Sequence, residues 1–353
     1  ERAGYDNDLW RWSTDHPRKD EEWEAMDLED LLDEIDVPTL HISGWYDLCL
    51  GTTVALYRRF ARRASSPQRL VIGPWSHNGV LMGPTELCGV DFGPQSRPDM
   101  PAEIVGWFDK HLKCGTADTV RVQEEEREPV RVFLTGVNRW LEMGEWPPCE
   151  SERLDLFLSP GGLTRSLPPE EGGVSYTYDP NRPTPTRGGG VWEFPAAGLQ
   201  PGPADQAPLH CRDDLLVYCS PVLTEEVTAA GPVRSVLHAQ TDGETTDFTA
   251  KLLDIAPDGT ARIVGDGIAR AHLWADPTRA RPVPPGDVAR YEIDMWWVGH
   301  TFRPGHRIGL EVASASFPKW DRNLNSSDGC PRPARQVIYW GGEFASRLEL
   351  YVW

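Results

Sequence analysis

The sequence predicts a mixed α/β plus all-β protein, and three observations carry that prediction. From Val37 the pattern "VPTLHISGWYDLCL" is a short apolar strand breaking at Gly44, followed by a helical stretch "TTVALYRRFARRA" and a second apolar strand "RLVIGPW". That order is a strand–helix–strand unit of parallel type. Beyond about Val130 the style changes to short alternating strands ("VRVFLTG", "LDLFLS", "LLVYCS", "RSVLHAQT", "FTAKLLDI", "RIGLEVASAS", "RLELYVW") separated by Pro, Gly and Asp turns, as antiparallel sheets require. Third, 353 residues at 39% hydrophobic and 25% charged can build two domains with their own cores.

Taken in order, residues 1–36 are rich in Trp and acids. Trp10, Trp12, Trp23, Leu28, Leu31 and Leu32 recur at helical spacing, and Asp27–Asp36 reads as an acidic helix. Residues 37–115 hold the parallel unit and an amphipathic helix at Ala102–Lys113, "AEIVGWFDKHLK", which stops at Cys114-Gly115. A charged linker with "RVQEEERE" spans 116–129, and 130–353 forms a β-sandwich. Within it the stretch Pro160–Pro208, with "RPTPTRGGG", reads as a loop lying over the sandwich, because apolar strands resume after it. Patterning alone does not separate a jelly roll from an immunoglobulin-like sandwich.

Composition narrows the partners. A formal net charge of -19 (35 Lys+Arg against 54 Asp+Glu) argues against nucleic acid and against anionic membrane surfaces. The seven Cys are odd in number and irregularly spaced, with no CxxC pair, so neither a disulfide framework nor a zinc site is indicated. With no run of about 18 apolar residues and nothing like a signal peptide, a cytoplasmic protein is expected. The first residue is Glu1, which leads us to expect that these residues begin inside a longer protein.

Two positions carry chemistry. In open α/β sheets, functional groups sit just past the carboxyl ends of strands. Asp47 follows the first strand and His77 the second, with one helix between them. Adjacent parallel strands would bring an acid behind an imidazole, which fixes the tautomer and stabilises the imidazolium once it has taken a proton from a nucleophile. Acid before His, each after its own strand, is the α/β-hydrolase order. The structural alternative, Asp47 capping the next helix and His77 serving a turn, stands on equal terms from spacing alone. His41, His111, His300 and His306 are expected to be satisfied structural groups, and no metal constellation emerges.

The wording around these residues resembles a known family. "VPTLHISGWYDLCL" and "LVIGPWSHNG" are similar to the Asp and His segments of the CocE/NonD hydrolases, relatives of X-Pro dipeptidyl-peptidases and α-amino acid ester hydrolases. "DHPRKDEEW" resembles the end of that family's helical cap and "GWFDKHLKCG" its last hydrolase helix. "VRVFLTGVNRWLEMGEWPP", "TDFTAKLLDIAPDGTARIVGDGIARAHL", "RPGHRIGLEVASASFPKWDRNLN" and "SRLELYVW" resemble its jelly-roll domain.

The resemblance implies the C-terminal part of an α/β-hydrolase domain at 37–115, the end of the cap at 1–36 and a jelly roll at 130–353. Asp47 would be the triad acid and His77 the general base of a serine hydrolase cleaving a small-molecule ester or amide, without cofactor or metal. The family's nucleophile sits on a G-x-S-x-G-like elbow, and none is present: Ser43 lacks the leading Gly, Ser76 directly precedes His77, and Ser314 and Ser316 lie in a sandwich strand. The nucleophile, most of the sheet and the oxyanion donor are therefore expected in a missing N-terminal hydrolase segment, leaving this chain inactive alone. Trp45, Tyr46 and Trp75 could wall an acyl pocket or simply pack the domains. Leu48 and Cys49, directly after the acid, suit an apolar acyl group better than an ammonium. A homo-oligomer is left open. The competing reading is an inactive homologue or a β-sandwich ligand-binding module.

Overall fold

The computed structural model describes residues 8–16, 20–80, 83–113, 128–273, 284 and 286–353. Residues 1–7 and 17–19 of the expected cap, the Trp10 side chain, and all but the last two residues of the expected linker lie outside the described residues.

The N-terminal stretch holds helices α1 (Asp8–Asp15) and α2 (Glu21–Glu24), the latter capped by the Asp20 carboxylate. The acidic helix expected over Asp27–Asp36 is not formed; a single 3-10 turn, Leu31–Glu34, stands in its place. Its acids repel one another, and Leu28 and Leu31 are exposed with no core to reward a longer helix. Asp33 instead takes the guanidinium groups of Arg59 and Arg63.

Strand β1 (Thr39–Tyr46), helix α3 (Leu50–Arg63) and strand β2 (Gln68–Ser76) form the parallel unit, with His41 paired to Leu70 and Ser43 to Ile72. Leu70 and Ile72 pack with Val54 and Tyr57 of α3 on one face. Val71 packs with Met100 of α4 (Met100–Leu112) on the other. A small hairpin, β3 (Glu86–Leu87) and β4 (Val90–Asp91), precedes α4. This sheet crosses the expected boundary at 130. Strand β5 (Val130–Leu134) adds in parallel to β2, and β6 (Arg139–Met143) adds antiparallel to β5, giving the order β1-β2-β5-β6. The sequence places only the two strands of the strand–helix–strand unit in this sheet. Burial explains the difference, because Val130, Val132, Phe133 and Leu134 are all inaccessible, as befits a strand covered on both faces rather than one facing water.

The rest is antiparallel. Strands β7 (Glu152–Ser159), β8 (Gly162–Thr164) and β9 (Gly172–Tyr178) precede a long loop leading to β10 (Leu215–Cys219) and β11 (Val227–Thr241). Then come β12 (Asp247–Ile255), β13 (Ala261–Arg270), β14 (Ala289–Phe302), β15 (Arg307–Ala313), β16 (Ala334–Trp340) and β17 (Arg347–Val352). One sheet runs β8-β7-β17-β11-β16-β9 with β14 also on β11; the other runs β10-β15-β12-β13. Leu237, Ile338 and Leu348 of the first share a core with Phe248, Leu252 and Leu310 of the second, making a β-sandwich.

The two parts are joined by backbone bonds. Thr135, just past β5, donates its N–H to Gly299 O at 3.0 Å and accepts from Thr301 N–H at 2.9 Å. No helix among the described residues is long and apolar enough to cross a membrane.

Candidate active site

Asp47 sits in the turn from β1 to α3, its N–H bonded to Gly44 O at 3.0 Å and its carbonyl accepting from Leu50 N–H at 3.2 Å. Between the pairs Gly44–Gly73 and Tyr46–Ser76, β2 carries one more residue than β1. This bulge brings the two strand ends together, and only Gly tolerates the close approach: a Cβ on Gly44 would lie 2.2 Å from Trp75 O. The strand ends then deliver Asp47 and His77 to the same edge.

The His77 Nδ1 lies 2.9 Å from Asp47 Oδ1. The same oxygen accepts the Cys49 N–H at 2.8 Å, and Oδ2 accepts the Ser43 hydroxyl at 2.9 Å. An oxygen already serving as acceptor makes Nδ1 the donor, so Nε2 carries the lone pair. Among the described residues Nε2 has no hydrogen-bond partner. The Asp47 side chain is 5% exposed and that of His77 37%, so the acid is enclosed and the imidazole reaches solvent. Burial first, then the Asp47 carboxylate, pushes the Cys49 thiol up from its usual range.

Of the aromatics expected near the pair, three are spent on packing. Trp45 donates its indole N–H to Phe133 O at 2.6 Å and lies against Trp146. Tyr46 packs near Phe92, and Trp75 donates to Ser96 O at 2.8 Å beside Trp140. Leu48 and Cys49 are half-buried. Of the histidines expected to be structural, His41 bonds Gln68, His300 and His306 both bond Asp254, and His111 lies against Trp107.

Sequence reading missed the residue that covers His77. Trp192, on the long loop over the sandwich, lies tilted by 37° to the imidazole at 5.0 Å between ring centroids and is 53% exposed. Glu193 follows it and accepts from the Asn78 side-chain amide at 3.2 Å. The preceding glycines anchor this loop: Gly188 and Gly189 have φ of 66° and 76°, and a Cβ on Gly190 would lie 3.1 Å from Asp47 O. Three consecutive glycines two residues before Trp192 were the available signal, since such a run marks a close backbone approach. A cavity of about 350 Å³ opens beside it between the β3–β4 hairpin and the loop, lined by Glu86, Leu87, Cys88, Glu193, Gln200 and Pro201.

With this geometry in view, residues 122–349 match the X-Pro dipeptidyl-peptidase C-terminal non-catalytic domain, and residues 1–79 match the X-Pro dipeptidyl-peptidase (S15) family. A cocaine esterase of a Rhodococcus species is 34% identical over 325 residues, covering 88% of this chain and 54% of that protein. The chain spans about half the length of the curated relatives it matches. The solved structure of an aminopeptidase from a marine-sediment Thaumarchaeota archaeon superposes with a TM-score of 0.86 at 26% identity, over 98% of this chain and 60% of that one. An α-amino acid ester hydrolase gives 0.83 at 26% identity, over 98% and 61%. Because one family match alone covers more than half of its length, the chain belongs to the CocE/NonD hydrolases, the family of cocaine esterase and the S15 X-Pro dipeptidyl-peptidases.

Proposed function

We propose that this chain supplies the acid and the base of a serine hydrolase acting on esters or amides through an acyl-enzyme, with the nucleophile contributed by a segment outside these 353 residues. Asp47 is the triad acid and His77 the general base. The fold reading that accompanies it is the C-terminal part of an α/β-hydrolase domain followed by a jelly roll. The observation that carries the proposal is the 2.9 Å contact between His77 Nδ1 and an enclosed carboxylate, with Nε2 left as an acceptor.

His77 Nε2 takes the proton of an attacking hydroxyl, while Asp47 holds the ring in the productive tautomer and stabilises the imidazolium that forms. The same nitrogen then returns the proton to the leaving group, and in the second half-reaction it activates water against the acyl-enzyme. Leu48 and Cys49 beside the acid, with Trp192 over the imidazole, favour an apolar acyl group. No hydroxyl among the described residues bonds His77, so on this reading the chain alone turns nothing over.

A fluorophosphonate probe decides between this reading and a binding-only protein. The full-length product is expected to label on a Ser outside these 353 residues, with His77→Ala abolishing labelling. Absence of labelling in a folded full-length protein, or undiminished labelling of His77→Ala, overturns it.

A further inference from the structure

We propose that Asp47, Cys49 and His77 form an inhibitory site for a borderline-soft divalent cation of the zinc type, so that such an ion switches the hydrolase off by occupying its acid–base pair. The inference rests on the catalytic reading above for its consequence, but not for the binding itself. Residue spacing gave no hint of a metal site; folding creates one. A carboxylate oxygen of Asp47, the Cys49 sulfur and an imidazole nitrogen of His77 all lie within 4.8 Å of one another. They come from two different strand ends.

The donor set decides the ion. One thiolate, one imidazole and one carboxylate suit Zn²⁺, Cd²⁺ or Co²⁺, and three protein ligands leave one position of a tetrahedron to water. Mg²⁺ and Ca²⁺ want oxygen ligands and gain nothing from the sulfur. Access is open: Cys49 is half-buried and the His77 side chain reaches solvent. The carboxylate is already oriented by Ser43 and the Cys49 N–H, so little has to be ordered when an ion arrives. On binding, Cys49 forms a metal–sulfur bond and releases its proton to the buffer, while His77 contributes a ring lone pair.

Either ring nitrogen gives the same consequence. If the ion takes Nε2, the lone pair needed to accept the proton of the nucleophile is gone. If it takes Nδ1, the remaining ring proton moves to Nε2 and that nitrogen can no longer accept. Both outcomes remove the general base without touching the nucleophile.

Cobalt makes the site visible in the chain as it is, without turnover. Chelator-treated protein titrated with Co²⁺ is expected to develop a sulfur-to-cobalt charge-transfer band saturating at one ion per chain. Zn²⁺ should displace it and Mg²⁺ should not. Cys49→Ser should lose the band, and His77→Ala should weaken binding. In the full-length enzyme, the rate in zinc divided by the rate in chelator is measured for each protein, so that any basal effect of a substitution cancels. The wild-type ratio should fall towards zero and that of Cys49→Ser should stay near one. A band that persists in Cys49→Ser belongs to another thiol and overturns the site, as does the absence of any band. A rate that rises with zinc overturns the inhibitory role. Normal turnover by His77→Ala would sink the catalytic reading instead, while the cobalt titration continues to test binding independently.

Discussion

Among the carboxylates that hold histidines in this chain, Asp47 and Asp254 build two assemblies to opposite ends. At the strand ends of the parallel sheet, Asp47 binds one nitrogen of His77 and the other nitrogen has no partner among the described residues. In the sandwich, Asp254 binds both His300 Nε2 at 3.1 Å and His306 Nδ1 at 2.7 Å. His300 then spends its remaining nitrogen on the Thr135 hydroxyl at 2.8 Å, so hydroxyl, imidazole and carboxylate stand in a row that superficially resembles a catalytic triad. That row is closed. Thr135 is buried and its hydroxyl also bonds Gly299 O, and the whole group ties β5 to β14. A histidine with both nitrogens committed is a structural rivet; one held on a single side is equipped to move a proton.

The largest expected effect tests this contrast directly. In the full-length protein His77→Ala should lower turnover of a p-nitrophenyl ester by about 10⁴-fold or more, and Asp47→Asn by a comparable or smaller factor. His300→Ala should leave kcat within a few fold while lowering the melting temperature. Equal losses of kcat at both histidines would break the distinction.

Next in size is backbone crowding at the bulge. Gly44→Ala drives a Cβ into the Trp75 carbonyl, with a cost of about 1–3 kcal/mol read by thermal or urea denaturation. Gly198→Ala, where a Cβ meets nothing within 4 Å but φ is 72°, should cost less, about 1 kcal/mol. A Gly44→Ala protein as stable as the wild type would show that the two strand ends have room to spare.

A gentler test addresses the Asp254 assembly by acid titration. Burial alone would raise the Asp254 carboxyl, but the hydrogen bonds and charges of His300 and His306 outweigh it and hold the group below its ordinary value. A carboxyl whose folded value is depressed stabilises the fold above its unfolded value of about 4, and that contribution is lost as pH falls through the lower folded value. The wild type should therefore lose stability on acidification below about pH 4 more steeply than Asp254→Asn. Parallel acid limbs for the two proteins would remove the ionic role of Asp254.

The smallest effect concerns Ser43. Removing its hydroxyl with Ser43→Ala frees one Asp47 oxygen and should slow turnover about fivefold, the worth of one ordinary hydrogen bond of ~1 kcal/mol. Combined with Asp47→Asn it should add little, because both act on one contact. Full additivity in the double variant would assign Ser43 a role elsewhere.

How much of this was legible in the sequence depends on the range of the contact. Asp47 and His77 were readable because each follows an apolar run, and a parallel strand–helix–strand unit leaves one geometry for the two ends. The sandwich strands announced themselves by alternation. Strand β5 did not: "VRVFLTG" looks like the strands after it, and only its burial on both faces shows that it closes the first sheet. Trp45, Tyr46 and Trp75 could not be assigned between pocket and packing by proximity in sequence, since that decision belongs to Phe133, Phe92 and Ser96, 46 residues away from Tyr46 in the case of Phe92. Trp192 was out of reach because it meets His77 across 115 positions of chain.

The donors around Asp47 carry a consequence for the order of assembly. Ser43 and Cys49 lie four residues before it and two after, so the acid is oriented by its own short segment. Closing so small a loop takes well under about a microsecond, long before a 30-residue crossover can bring β2 alongside. The imidazole thus arrives at a receptor that is already shaped, and the last partner to reach the pair, the glycine-anchored loop bearing Trp192, comes from the other domain. On loop-closure times, assembly is expected to run from the nearest residues outward, with Trp192, 115 positions from His77, joining the pair at the end.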